Sequence, residues 1–282
     1  MMMTSRLLFA LVFGASMALA QVPKPATPAP APKVVRDGDL LRPPKEAAND
    51  EPLPGKLLNV LTDAEMDGGW ELLFSGKAPT QLRGLTKTNA FQAGWTVDKG
   101  ALVLVKDIRT QGKVTGGDLV ATVAYDDFEF SFEWKLEVSG NTGVMYFTRG
   151  AMGKKPQGLE YQIIDDVHHP DGLKGGPIKQ TGALYGILPA PAVDDKTLNP
   201  PGQWNEGRIV VQGQHVEHWL NGEKVLEFNL GPELAKAALA AKTKVPPGFE
   251  RKIKAPIVLL DEGEGVAFRN LKIRPLKAAA VR

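Results

Sequence analysis

The chain has 282 residues, no cysteine, 43% hydrophobic residues and a formal net charge of +2. That length and apolar share suffice for one large all-β domain or two smaller ones, each with a sizeable core. The missing cysteine excludes a disulfide framework, a thiolate metal site, a cysteine nucleophile and a lipobox-type lipid anchor, and lysines and arginines scattered among nearly as many acids leave no nucleic-acid footprint.

Residues 1–20 read as an export signal: Arg6 supplies the positive start, Leu7 to Phe13 the apolar stretch, and Ala18-Leu19-Ala20 an A-x-A cleavage site. Cleavage before Gln21 and a secreted or periplasmic location are expected, because the apolar run is too short to span a bilayer and no later segment approaches the length of a membrane span. Residues 21–55, with Pro23, Pro25, Pro28, Pro30 and Pro32 and few large apolar groups, predict an extended solvated linker. The folded domain is expected over 56–277.

Thr62-Asp63-Ala64-Glu65 fits a capping box and predicts a short helix ending at Gly68-Gly69. Strands follow. Phe128, Phe130, Phe132, Trp134, Leu136 and Val138 alternate with Glu129, Ser131, Glu133, Lys135 and Glu137, a period of two that sends one side chain in and the next out. Shorter strands are predicted at Ala101–Val105, Val144–Thr148, Leu159–Ile164, Arg208–Gln212, His215–Leu220, Lys224–Asn229, Ile257–Leu260 and Val266–Ile273. Asn221-Gly222 marks a hairpin, since a type I′ turn needs positive φ at both central residues. Pro232 to Lys242 predicts a second helix on an excursion between strands. Many short strands, frequent turns and one or two short helices imply an all-β sandwich.

Sandwich proteins that handle sugars do so on one sheet face, so the residues that share a strand face matter most. Within Leu159 to Ile164, Glu160 and Gln162 point to one side, and a carboxylate beside an amide suits hydroxyl recognition and proton transfer as well as it suits a merely wet surface. Asp165-Asp166-Val167-His168-His169-Pro170-Asp171 gathers three acids and two histidines at the end of that strand. It reads equally as a base or divalent-metal site and as a polar loop held by Asx turns, with no spacing diagnostic of a particular metal. Trp204 is either a platform for a pyranose ring or core, and His218 is either a site residue or a buried hydrogen-bonded histidine. No G-x-S-x-G, H-E-x-x-H, P-loop or dinucleotide fingerprint is present, which disfavours those hydrolase and nucleotide-enzyme classes.

Gly69-Trp70-Glu71-Leu72-Leu73-Phe74-Ser75-Gly76-Lys77, Asn141-Thr142-Gly143-Val144, Glu160-Tyr161-Gln162-Ile163-Ile164-Asp165, Gly182-Ala183-Leu184-Tyr185, Gln203-Trp204-Asn205, His218-Trp219-Leu220-Asn221-Gly222 and Phe268-Arg269-Asn270 occur in the order and spacing of one family. The chain resembles the 3-keto-disaccharide hydrolase domain. The resemblance implies a concanavalin A-like jelly roll of two antiparallel sheets with the ligand on the concave face. It also implies an enzyme that cleaves glycosides already oxidised at C3, working downstream of a sugar C3-oxidising enzyme.

A 3-ketone acidifies the C2 proton, so a base can remove it, the C1 substituent can leave by β-elimination, and water can then add. On that basis the candidate bases or acids are Glu160 and Asp165, followed by His168 and His169. The candidate substrate contacts are Asn141, Gln162, Tyr185, Trp204, Asn205, His218, Glu262 and Arg269, and a divalent metal is an open expectation. The chain departs from the family before the last strand, with Leu260-Asp261-Glu262-Gly263 where a Gln-Asp-His-Gly turn is common. Two further functions fit the same fold: a non-catalytic lectin-like module, and an ordinary glycan hydrolase using two carboxylates.

Overall fold

A computed structural model describes residues 51–79, 81–85, 94–104, 117–149, 156–263 and 265–277. The expected export signal and most of the expected linker lie outside these residues. Among the described residues no helix is long and apolar enough to cross a membrane.

The alternating run predicted at Phe128 becomes β6 (Phe128–Leu136), a central strand of the larger sheet. Its Phe128, Phe130 and Phe132 are at most 1% exposed in the main core, and each such side chain contributes about 2–3 kcal/mol by leaving water. On the opposite face Glu129 and Glu133 are buried too, which a carboxylate tolerates only with partners. Glu133 accepts from Arg269 Nε at 2.7 Å and from Asn270 Nδ2 at 2.7 Å, while Glu129 accepts from Arg208 and Arg274.

The eight-stranded sheet runs β11 (Glu223–Asn229), β10 (His215–Leu220), β9 (Asn205–Gln212), β6, β13 (Val266–Pro275), β4 (Ala101–Leu104) and β3 (Trp95–Asp98), with β1 (Glu71–Leu72) also on β13. The five-stranded sheet runs β2 (Leu82–Gly84), β5 (Leu119–Tyr125), β12 (Ala255–Leu259), β7 (Asn141–Arg149) and β8 (Gln157–Ile164). Every pairing is antiparallel. The two sheets enclose the main core, giving the expected all-β, concanavalin-like sandwich.

Asn221 (φ 48°) and Gly222 (φ 86°) turn β10 into β11 as the sequence requires of a type I′ hairpin. The capping box forms at α1 (Asp63–Asp67): Thr62 Oγ1 accepts the Glu65 N–H and Glu65 accepts the Thr62 N–H. A second helix, α2 (Pro170–Gly175), was not predicted, and the third, α3 (Pro232–Ala240), was. β13 bulges between Arg269 and Lys272, where Asn270 takes φ 50° and trades hydrogen bonds with Asn59. The Phe268-Arg269-Asn270 motif thus shapes a strand bend. Glu51, the first described residue, touches the sandwich: its carbonyl accepts from Arg269 Nη2 at 2.7 Å.

Candidate active site on the five-stranded sheet

β7 and β8 pair so that Gly143 lies opposite Gln162 and Met145 opposite Glu160, which puts Asn141, Glu160 and Gln162 on the face turned away from the main core. Leu159, Tyr161 and Ile163 take the inner face, each at most 1% exposed. The period-two expectation for this strand therefore matches its geometry. Gly143 makes room for the acid: a Cβ there would come within 2.5 Å of Glu160 Oε1, so the carboxylate lies across the β7 backbone. Gln162 is buried, accepts the Ile163 N–H at 3.1 Å and donates to Asn141 Oδ1 at 3.4 Å.

The segment Gly182 to Tyr185 adds to the free edge of β8, with Gly182 N–H donating to the Gln162 carbonyl and Tyr185 N–H to the Glu160 carbonyl. This brings the Tyr185 ring beside Glu160. Its hydroxyl donates to Asp171 Oδ2 at 2.9 Å, and Asp171 is also ion-paired with Lys179 at 2.9 Å. Burial, the Asp171 hydrogen bond and the negative charges of Asp171, Glu160 and Glu262 push the Tyr185 phenol far above its usual range, so it stays protonated at any ordinary pH. The Lys179 hydrogen bond holds the Asp171 carboxyl below its usual value. Glu262 is exposed, close enough for its charge to act on Tyr185. Glu160 and Tyr185 share a depression of about 470 Å³ whose wall includes Met145, Ile187 and Lys244, a size suited to a small saccharide.

Asp165, His168 and His169 are not gathered around Glu160. Asp165 is 3% exposed and accepts from the Ser139, Val167 and His168 N–H groups and from His168 Nδ1 at 2.8 Å, so it organises the turn after β8. His168 lines a separate, mostly apolar pocket of about 140 Å³ beside Trp134 and Leu198. His169 is the N-cap of α2, its Nδ1 accepting the Asp171 N–H.

Trp204, Asn205, His218 and Arg269 belong to the other sheet or to the core. Trp204 is 5% exposed with the Arg269 guanidinium 3.9 Å from its ring centre, leaving no open platform for a sugar. Asn205 ties Asn199 to Asn221. Arg269 is consumed by Glu133 and Glu51. His218 is fully buried, with Nε2 accepting from Tyr146 Oη at 2.8 Å and Nδ1 donating to the Gly182 carbonyl at 3.0 Å. The buried-histidine alternative is the one the geometry realises. Asp171, Lys179 and Lys244 were not among the individually named site residues: Asp171 entered only as the last of three acids in the polar run, and nothing in the pattern marked the two lysines.

Burial pulls the His218 imidazole down to about 4 from its ordinary value near 6.5. Between those values the unfolded chain binds one more proton than the folded chain, so stability falls as pH drops through that window. Denaturant unfolding at pH 7 and pH 5 checks this. His218→Gln should lose about 2 kcal/mol less than the parent between those two pH values, and equal losses would show that His218 is not the titrating group.

For metals, the described residues offer His215, Glu217 and Glu227, with ligand atoms within 4.8 Å of one another on β10 and β11. Lys224 already ion-pairs with both carboxylates, and Trp219 Nε1 donates to Glu217 at 2.8 Å. Those donors are spoken for by the protein itself, on the sheet opposite Glu160.

The model of the 3-keto-alpha-glucoside-1,2-lyase-like domain matches residues 69–274. A 3-keto-disaccharide hydrolase from Bacteroides thetaiotaomicron is 29% identical over 248 residues, 77% of this chain and 84% of that protein. Two solved structures from Parabacteroides distasonis, each described as a candidate glycosyl hydrolase, superpose with TM-scores of 0.67 and 0.56 at 31% and 28% identity. They cover 78% and 73% of this chain and 100% and 99% of their own. With a match that spans the sandwich from before β1 into β13, the chain belongs to the 3-keto-alpha-glucoside-1,2-lyase-like domain family.

Proposed function

We propose that this protein cleaves the glycosidic bond of 3-keto-glycosides, with Glu160 as the base that removes the proton from C2. The observation that carries this reading is the Glu160 carboxylate laid across Gly143 at the edge of a saccharide-sized depression, beside a phenol that cannot ionise.

The electron pair of the C2–H bond moves into C2–C3, and charge develops on the C3 oxygen. That enolate is where a cation or N–H donor contributes most, and Lys244 is the cation that lines the depression with Glu160. The C1–O bond then breaks, the departing oxygen takes the proton held by Glu160, and water adds across the C1–C2 double bond of the enone. Tyr185 keeps its proton throughout and serves as a wall and hydrogen-bonding partner, fixed by Asp171.

In this reading the export signal at residues 1–20 puts the reaction outside the cytoplasm, and an oxidising enzyme supplies the ketone. Glu262 is close enough for its charge to act on Tyr185 of this site.

The test is incubation of the purified mature protein with a 3-keto-disaccharide and with its unoxidised parent, with and without a chelator, following release of both sugars. Cleavage of the keto form alone is expected. Equal cleavage of the parent would point to a two-carboxylate glycan hydrolase, and binding without cleavage to a lectin-like module; either overturns the reading. Loss of activity with chelator would add a divalent metal to the site.

A further inference from the structure

The outward face of the eight-stranded sheet carries a further cavity, of about 260 Å³, on the opposite sheet from Glu160. Its floor is the polar side of the alternation first seen in β6: Glu129 and Ser131, next to Glu206 and Arg208 of β9. Two indoles, Trp70 and Trp219, also line it. Both are half-buried, whereas Trp95, Trp134 and Trp204 are at most 5% exposed in the body of the protein.

Each of the two indoles is held by an arginine. The Arg208 guanidinium sits 4.0 Å from the Trp219 ring centre and that of Arg274 5.0 Å from Trp70. A cation over one face of a ring fixes its plane before any ligand arrives. The charges on the floor cancel in pairs: Arg208 with Glu129 at 2.9 Å, Lys272 with Glu65 at 2.7 Å, and Lys56 with Glu206, which also accepts from Ser131 Oγ at 3.1 Å. Three cations and three carboxylates line the cavity, and Arg274 beside Trp70 shares Glu129 at 2.6 Å, so every carboxylate is paired and the surplus is one positive charge, too little to select a polyanion. The cavity still presents a dense array of acceptors and donors beside two half-buried indoles. Hydroxyl-rich rings with C–H faces match that combination, and phosphates, nucleic acids and uronates do not.

The geometry points to a second carbohydrate-binding site here, taking one neutral sugar ring of a longer chain beside Trp70 and Trp219. It would hold a glycan on the face opposite the candidate active site and is independent of the reaction proposed there.

The experiment uses the full mature chain carrying Glu160→Gln, so that no turnover competes, titrated calorimetrically with maltotetraose, cellotetraose and, as a charged control, tetragalacturonate. Tryptophan emission is followed in parallel. Because three of the five tryptophans are buried, a spectral change on binding reports on Trp70 and Trp219.

Saturable binding of at least one neutral tetrasaccharide is expected, weakened about tenfold or more by the double substitution W70A/W219A and largely restored by W70F/W219F, which keeps an aromatic face. Ser131→Gln should block binding with both indoles in place, and an unchanged melting temperature shows that each variant is folded. The proposal is overturned if neither neutral sugar binds, if W70A/W219A binds as tightly as its parent, or if tetragalacturonate binds more tightly than the neutral chains.

Discussion

Replacing Glu160 by glutamine should lower kcat on a 3-keto-disaccharide by about 10²- to 10⁴-fold, the range that a positioned general base contributes, while leaving KM and the melting temperature nearly unchanged. Glutamine keeps the length and volume of the side chain and so its packing over β7, but it cannot accept the C2 proton. The neighbour that shapes the site supplies an independent check. Gly143→Ala inserts a methyl 2.5 Å from Oε1 and 2.9 Å from Cγ of Glu160, closer than real Cβ atoms approach, so the carboxylate must swing aside. That variant retains the acid and loses its placement, and kcat should fall with the chemistry of the residue untouched. If Glu160→Gln turned over within threefold of the parent, the base would have to be sought elsewhere and the Gly143 result would become a matter of packing. If Glu160→Gln failed while Gly143→Ala did not, the carboxylate would be needed but its position over β7 would not.

The residues that the sequence exposed most clearly are those whose signal is local. β6 is legible because Phe128, Phe130 and Phe132 face one core while Glu129 and Ser131 face out. The β10–β11 hairpin is legible because Asn221-Gly222 encodes its own turn. Glu160 and Gln162 share a face for the same period-two reason. β5 was invisible. Leu119, Val120 and Ala121 are all buried in succession, Leu119 and Ala121 in the main core and Val120 in a small cluster with Met145 and Val258 on the other side of the sheet. A strand covered on both faces has no alternation to read.

What failed to transfer from motif to site failed for a physical reason as well. Asn205, His218 and Arg269 are polar residues that fold the sandwich: each is at most 1% exposed, and each has its hydrogen-bonding groups matched by partners far away in sequence, such as Asn221, Tyr146 and Glu133. A polar residue embedded in a motif looks the same in sequence whether its partner is a ligand or a backbone carbonyl. The Asp171–Tyr185 pair illustrates the converse. It spans fourteen residues and exists only because α2 returns the chain to the edge of β8, so no short pattern announces it.

The edge segment that carries Tyr185 is tied to a buried ion pair, and breaking that pair should produce a large loss of stability. Asp166 and Lys196 side chains are both 0% exposed and approach at 2.6 Å. The ammonium directs a hydrogen bond to the Thr181 carbonyl at 2.9 Å, while Asp166 Oδ1 accepts the Thr181 N–H at 2.8 Å. Burial draws the Lys196 ammonium below its usual pKa, with Asp166 opposing the shift, so the charged form exists there because the carboxylate is present. Thr181 in turn closes onto β8 through Ile164, and Gly182 to Tyr185 follow directly.

Lys196→Met leaves a carboxylate without its counter-charge in the interior and should cost about 3–5 kcal/mol, a fall in melting temperature of about 6–20 °C for a domain of this size. Asp166→Asn with Lys196→Met removes both charges while keeping an acceptor for the Thr181 N–H. Much of the loss should return, because a buried pair is worth little against neutral groups that fill the same space. Thermal unfolding of the parent, both single variants and the double variant closes the cycle. Additive losses, or a Lys196→Met penalty below about 1 kcal/mol, would mean that the pair is not coupled. With coupling present, kcat of the Lys196→Met protein, measured below its melting temperature, should fall as well, because the loop that loses its anchor is the one that sets Tyr185 beside Glu160.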